Sequence, residues 1–156
     1  MKTEQTEQEK LQEIGKHAFE GIAEMVAALD VDYDRLSELK EQDERTEEEA
    51  EELAELENAA GNCESLEDAE QRIQDDPLSV QVRSGWCDVG AEMDSEEYCI
   101  LLSTGGPATR IIGDLNRYGE PGTATLQAQD WFTQWQDYDG GDEETLIRYA
   151  SRFLGF

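Results

Sequence analysis

The sequence predicts an α+β fold, with a helical N-terminal region followed by a β-rich C-terminal region. Up to residue 76 the chain is rich in Glu, Ala, Leu and Gln, and its apolar residues recur every three or four positions. From residue 77 onward the apolar period changes to two, and this part holds all 3 Pro, all 3 Trp and 10 of the 13 Gly. We therefore predict two units, an acidic helical region at 1–76 and a small domain at 77–156.

The N-terminal region is predicted to form a helical hairpin and a short third helix. Over residues 6–29 one stripe recurs in steps of three and four: Leu11, Ile14, Ala18, Ile22, Met25 and Leu29. A second helix over 33–59 is predicted from sparser leucines, and the break between the two favours an antiparallel pair. Ser65 and Asp68 form a capping box for a helix ending near Gln74, with Leu66, Ala69 and Ile73 on its inner face.

The C-terminal region is predicted to form a four-stranded antiparallel meander followed by a helix. The strands are predicted at 78–83, which alternates as a half-buried strand, and at 98–102, 109–115 and 123–131. A last helix begins at Asp142, where Leu146, Tyr149, Ala150 and Phe153 share one face. We expect the helices to pack on one face of the sheet.

The chain is strongly acidic, which excludes several function classes. Its 156 residues hold 39 acids and 12 bases, a net charge of −27. Residues 1–76 carry 26 acids and 7 bases, a net of −19, and residues 77–156 carry 13 and 5, a net of −8. Direct nucleic-acid binding and docking on an anionic membrane both require clustered Lys and Arg, so neither is predicted. No apolar run approaches the roughly 20 residues of a transmembrane helix.

The cysteines and the N-terminal residues predict a cytoplasmic protein. The first ten residues contain no apolar segment typical of a secretory signal. Cys63, Cys87 and Cys99 are sparse and lack the CxxC spacing of a zinc site or redox pair, so reduced thiols are expected.

One acidic motif resembles a calcium-binding loop. Counted from the first aspartate, positions 1, 3, 5, 9 and 12 are Asp30, Asp32, Asp34, Glu38 and Glu41. Position 6, which requires glycine in an EF-hand, is arginine, and no second loop follows. Asp30, Asp32 and Asp34 are thus the only metal candidates, and the alternative interpretation is a helix cap with solvated carboxylates. No cofactor is predicted.

Nothing in the sequence predicts catalysis. His17 is the only histidine and falls opposite much of the apolar stripe, so we expect it to be solvated. With no histidine beside a nucleophile there is no triad, and carboxylate pairs carry no information in so acidic a chain. We predict a non-enzymatic protein.

The densest charge lies in the second predicted helix. From Asp43 to Glu57 there are nine acids and one base, and fifteen helical residues span about 22 Å. That gives one carboxylate per ~2.5 Å, against one charge per ~1.7 Å of duplex DNA. Repulsion between carboxylates at i, i+4 costs a few tenths of a kcal/mol per pair. Because the sequence accepts this cost, our hypothesis is that the negative field of the helix binds a partner. The alternative is a solvated, partly frayed segment. The predicted partner-binding carboxylates are Asp43, Glu44, Glu47, Glu48, Glu51, Glu52 and Glu55.

An aromatic group follows the fourth predicted strand. Trp131, Trp135 and Tyr138 alternate there with aspartates. Trp and Tyr are frequent anchors of protein interfaces, so these three are predicted to bind a partner. The alternative is that they cover the edge of the core.

A one-sign surface selects partners of the opposite charge, and the commonest strongly basic surfaces in cells are nucleic-acid-binding grooves. In size, in its pI of about 4.1 and in its Glu-studded helices, the chain resembles the DNA-mimic anti-CRISPR and anti-restriction proteins of phages and other mobile elements. Segments 78–86, 101–107 and 129–131 resemble those of phage-type open reading frames. DNA mimics share no common fold, so the resemblance implies a class and no individual residue.

The resemblance implies a non-enzymatic inhibitor in the host cytoplasm that blocks a basic nucleic-acid-binding host protein, such as a CRISPR effector or a restriction enzyme. Two alternatives stay open. One is an acidic interaction module that binds through its β half, with helices for solubility or dimerisation, and the other is a calcium-dependent protein. The thin apolar stripes also leave a homodimer open.

Overall fold

The computed structural model describes residues 6–155, in which five helices and five strands confirm the α+β class. The helices are α1 Glu7–Leu29, α2 Tyr33–Glu41, α3 Glu47–Ala60, α4 Leu66–Gln74 and α5 Glu143–Ala150. The strands are β1 Ser79–Arg83, β2 Glu97–Ser103, β3 Ala108–Asp114, β4 Thr125–Gln129 and β5 Gln136–Asp137.

The sheet is an antiparallel meander in the order β1-β2-β3-β4-β5. Four of its strands match the predicted ones within a few residues, but the prediction of four strands in total was wrong by one. Strand β5 pairs Gln136 with Ala128 and Asp137 with Gln127 of β4. Because β5 has only two residues and both are polar, it leaves no alternation in the sequence.

One face of the sheet packs against α1, α4 and α5. The core holds Ile22, Met25 and Val26 of α1, Ile73 of α4, Tyr98 and Ile100 of β2, Ile111 of β3, Leu126 of β4, and Leu146, Tyr149 and Ala150 of α5. Helices from the acidic region and strands from the C-terminal region thus share one core. The change of composition at residue 77 therefore does not divide this core.

The helix predicted over 33–59 is two helices, because both sides of a break at 42–46 find hydrogen-bond partners. Arg45 donates from Nε to the carbonyl of Leu39 at 2.6 Å and from Nη2 to that of Lys40 at 3.1 Å, which satisfies the end of α2. The hydroxyl of Thr46 accepts from the N–H of Glu49 at 3.1 Å, and the Glu49 carboxylate accepts from the N–H of Thr46 at 3.2 Å. This capping box starts α3, and its Thr-x-x-Glu signature is visible in the sequence.

Burial of β1 also differs from the prediction. Leu78, Val80 and Val82 are 59%, 37% and 49% exposed, whereas a half-buried strand was expected. Helices α1 and α5 lie over β3 and β4, so the apolar side of β1 extends past their cover. Leu66, predicted on the inner face of α4, is likewise 46% exposed, while Ala69 and Ile73 are buried.

Candidate functional site

The outward side of α3 carries a stripe of four exposed glutamates, Glu47, Glu48, Glu51 and Glu55. At about 100° per residue they fall within an arc of about 100°, and at 1.5 Å per residue they span about 12 Å. The spacing is about 3–4 Å per carboxylate, close to the 3.4 Å per phosphate along one DNA strand. We call these four residues the acidic stripe.

The opposite side of α3 faces the protein. Leu53 and Leu56 are half-buried there and Ala60 is buried. Glu52 accepts hydrogen bonds from Arg35 of α2 at 2.9 and 3.0 Å, and this guanidinium lowers the pKa of the carboxyl. Hydrogen bonds from Thr46 likewise lower the pKa of Glu49. Glu52, predicted to bind a partner, therefore also fastens α3 to α2.

Asp43 and Glu44 lie outside the helix. Both are exposed in the connection between α2 and α3, just before Arg45. The predicted helical run of carboxylates from residue 43 is therefore interrupted, and its helical part begins at Glu47.

The acidic stripe is electrically uncompensated. Ion pairs among residues 6–155 engage Glu20, Asp30, Glu38, Glu52, Glu70 and Glu97. Within that part of the chain, no Lys, Arg or His nitrogen lies within 4.0 Å of a stripe carboxylate. Its field therefore reaches the solvent without a neighbouring cation to cancel it.

The three metal candidates have different roles, and Asp34 lies exposed in the first turn of α2. Asp30 accepts two hydrogen bonds from Arg148 of α5, at 2.7 and 2.8 Å, and this arginine lowers the pKa of Asp30. Asp32 is the N-cap of α2 and accepts from the N–H of Arg35 at 3.0 Å. Among the described residues no group of three or more His, Cys, Asp or Glu side chains converges on a metal position.

The three predicted aromatic anchors have separate surroundings. Tyr138 is half-buried against Phe19 of α1, with ring centroids 6.1 Å apart. The guanidinium of Arg110 lies 4.2 Å from the ring centroid of Trp135. Only Trp131 is freely exposed, at 67%. Tyr138 thus serves the core, and Trp131 retains the character of an anchor.

Further exposed apolar side chains lie at both ends of the sheet. Phe132, 104% exposed, adjoins Trp131 in the β4–β5 turn with its φ at 65°, a value that a bulky residue seldom adopts. Trp86, Val89 and Met93 are exposed in the β1–β2 connection. In a meander these two connections lie at opposite ends. Their exposure is decided by tertiary packing, and no periodicity in the sequence indicates it.

The side of the sheet away from the helices bears a groove of about 780 Å³ with mixed charge. Arg83, Glu97, Arg110 and Asp114 line it, and Arg83 is paired with Glu97. The His17 side chain is 81% exposed, as predicted, and its Nδ1 lies 3.9 Å from a carboxylate oxygen of Glu20 in the same helix. The three cysteines are free thiols.

Comparisons of the chain with protein-family models, with curated proteins and with solved structures find no match. Among residues 6–155 no helix is both long and apolar enough to cross a membrane.

Proposed function

We propose that this protein is a non-enzymatic inhibitor that presents an ordered polyanion to a basic, nucleic-acid-binding host protein and so excludes DNA or RNA from it. The observation that carries the proposal is the acidic stripe. Its four carboxylates have no ion-pair partner among the described residues and lie on the outward face of a helix that is capped at its N-terminus and tied to α2 by Glu52. The proposed target is a protein such as a CRISPR effector or a restriction enzyme, and the proposed place of action is the cytoplasm.

Mimicry of a nucleic acid differs from a solubilising role in that the acidic residues lie on an ordered backbone. A flexible acidic tail loses backbone entropy when it binds, whereas a helix that already carries about one carboxylate per 3–4 Å of its length has lost that entropy on folding. The capping box at Thr46 and the Arg35–Glu52 pair support such preorganisation.

The test compares two variants with the same net charge. One replaces the acidic stripe by glutamine, and the other neutralises four exposed acids of the β1–β2 connection, Asp88, Glu92, Asp94 and Glu96. Each changes the net charge from −27 to −27 + 4 = −23. Immobilised protein is incubated with the heparin-binding fraction of a bacterial lysate at low and high salt, and duplex DNA is then added as competitor.

We expect wild type to retain a basic protein at low salt and to lose it to duplex DNA. Loss of four charge contacts of about 0.4 kcal/mol each raises the dissociation constant about tenfold. The stripe variant should therefore bind the basic protein at least about tenfold more weakly than wild type. The β-connection variant should bind as wild type does. Equal losses in both variants, or a captured protein that binds duplex DNA at the same time, would contradict the proposal.

A second candidate function is an interaction module that binds through the β half, and the exposed Trp131–Phe132 pair favours it. Aromatic anchors at the centre of an interface commonly contribute 2 kcal/mol or more, about thirtyfold in affinity. In the same capture assay this candidate predicts loss of binding on Trp131→Ala with Phe132→Ala, and full binding by the stripe variant. Trp86→Ala, at the other end of the sheet, is the control.

A further inference from the structure

The two edges of the sheet are treated differently. At the β5 edge, Gln12 of α1 donates from Nε2 to the carbonyl of Asp137 at 3.0 Å and accepts from the N–H of Asp139 at 3.1 Å. A side chain thereby occupies the backbone groups that another strand would use. At the opposite edge β1 pairs with β2 alone among the described strands, so one side of its backbone is open.

The open edge is also apolar. Val80 and Val82 project from the same side of β1, 37% and 49% exposed, and Leu78 before the strand is 59% exposed. Protected edges usually carry an outward charge, a proline or a bulge within the strand. The one charge in β1 is Arg83, and that side chain is already paired with Glu97 on β2.

Charge decides which partner suits this edge. Residues 77–87 contain neither Asp nor Glu, in a chain that has 39 of them. A basic partner would find no carboxylate on the strand to pair with. A second copy of the chain can approach without setting carboxylate against carboxylate along the paired residues.

The strand is complementary to itself. In an antiparallel pair centred on Gln81, Val80 lies opposite Val82 of the second copy, and Ser79 lies opposite Arg83 of the second copy. Both valine pairs fall on one face, where β-branched cross-strand pairs stabilise a sheet. Each contact occurs twice, as a two-fold interface requires.

We propose that two copies of this chain pair through β1, antiparallel, and join their five-stranded sheets into one continuous sheet. The two-fold axis is perpendicular to the sheet, so the helices of both copies lie on the same side. The dimer then carries two acidic stripes; that both would serve to bind a basic partner rests on the proposed function, whereas the pairing itself does not.

The dimer is expected to be weak and to strengthen with salt. A five-residue strand is about 17 Å long and alone cannot bury the 1,200–2,000 Å² of a standard interface. Two copies of charge −27 repel each other over a screening length that falls from about 30 Å at 0.01 M salt to about 8 Å at 0.15 M. Binding of a basic partner through the acidic stripe has the opposite salt dependence.

Sedimentation velocity tests the pairing. The protein is measured over a range of concentrations at about 0.01 M and about 0.15 M salt, because the repulsion between the two copies is screened less at the lower salt. Wild type should pass from monomer toward dimer with concentration, and at lower concentration in the higher salt. Val82→Lys places a charge on the pairing face and should raise the dissociation constant at least about tenfold. Val89→Lys, at an equally accessible valine in the β1–β2 connection, should leave it unchanged.

Amide exchange of wild type provides a readout that does not depend on a variant folding. Protection of residues 79–83 should rise with protein concentration. A monomer at every concentration and salt, a dimer that tolerates Val82→Lys, or protection that rises in α1–α3 instead would each overturn the proposal. The stripe variant should still dimerise, so failure of the proposed function and failure of the pairing give different results.

Discussion

Arg35 of α2 holds Glu52 of α3 by two parallel hydrogen bonds, 2.9 Å from Nε to Oε1 and 3.0 Å from Nη2 to Oε2. The same guanidinium lies 3.3 Å from a carboxylate oxygen of Glu38. These two carboxylates raise the pKa of Arg35, and the guanidinium fork links α2 to α3 at two points. One arginine thus fastens the most acidic helix to its neighbour.

Removal of that guanidinium should loosen α3 while leaving the core intact. We expect Arg35→Gln to speed amide exchange over residues 47–60, because Glu52 would then add to the repulsion around α3 and lose its partner. Exchange in β2 and β3 should not change, since neither strand contacts this pair. Hydrogen exchange by mass spectrometry makes the comparison.

Arg83→Gln is the control for this experiment, because it breaks an arginine–glutamate pair at the sheet edge whose glutamate is as exposed as Glu52, 42% in both cases. It should leave exchange in α3 at the wild-type rate. Unchanged exchange of α3 in Arg35→Gln would show that the capping box and the buried Ala60 suffice to hold the helix.

Two glycines of α1 should respond in opposite directions to alanine. A Cβ at Gly15 would lie 2.7 Å from the Cβ of Tyr138, whereas a Cβ at Gly21 meets nothing within 4 Å. Gly15→Ala should lower the free energy of unfolding, because overpacking costs about 1–3 kcal/mol and the gain in helix propensity offsets only part of it. Gly21→Ala should raise the free energy of unfolding by about 0.5–1 kcal/mol. Thermal unfolding should show a lower Tm for the first variant and a higher one for the second. A rise in Tm for both would mean that Tyr138 is not held against α1.

The Asp30–Arg148 pair predicts a loss of stability in acid. The folded-state pKa of Asp30 is lowered, so its contribution is present above the unfolded pKa of about 3.9 and is lost as the pH falls through the folded value. Because the side chains are exposed, the pair should contribute about 0.5 kcal/mol. Urea unfolding should find Asp30→Asn less stable than wild type by that amount at pH 7, with the gap closing below about pH 4.

Asp34→Asn serves as the control. It removes a carboxylate four residues after Asp30 that forms no ion pair with an arginine among the described residues. Its stability difference from wild type should not follow the Asp30 pattern. A gap for Asp30→Asn that persists unchanged to low pH would assign the effect to something other than the ionised carboxyl.

Tyr149 predicts a loss of stability in alkali. It is fully buried, and its hydroxyl donates to a carboxylate oxygen of Asp76 at 2.6 Å; burial and this hydrogen bond raise its pKa. A raised pKa contributes stability that is present below the unfolded value of about 10 and lost as the pH rises above it. Tyr149→Phe should cost about 1 kcal/mol at pH 7 and should flatten the fall above pH 10.

Tyr118→Phe is the control, since Tyr118 is 64% exposed. An absorbance titration of tyrosinate should lose a late-ionising group in Tyr149→Phe, because the pKa of Tyr149 is raised, and should keep that group in Tyr118→Phe. If Tyr149→Phe keeps every late-ionising group of the wild type, the Tyr149 hydroxyl is not buried in solution.

Elements with strong local signals were predictable from the sequence. The stripe of α1, the Ser65 cap of α4, the Asp142 cap of α5 and the alternation of the strands are properties of a few consecutive residues. The break before α3 was equally local, in the Thr46-x-x-Glu49 box, but a sparse apolar stripe across it favoured one long helix. The two residues of β5 were not predictable, because only their position beside β4 makes them a strand.

For the candidate site, the sequence determined how much negative charge the molecule carries and which stretch has the highest density of acidic residues, because the charge of each side chain follows directly from its residue type. Packing alone decided which carboxylates face outward. Glu52 turns to Arg35 and Glu47 to solvent because α3 meets α2 along one side. Packing likewise placed Tyr138 in the core and left β1 uncovered, since burial depends on residues distant in the chain that no local pattern brings together.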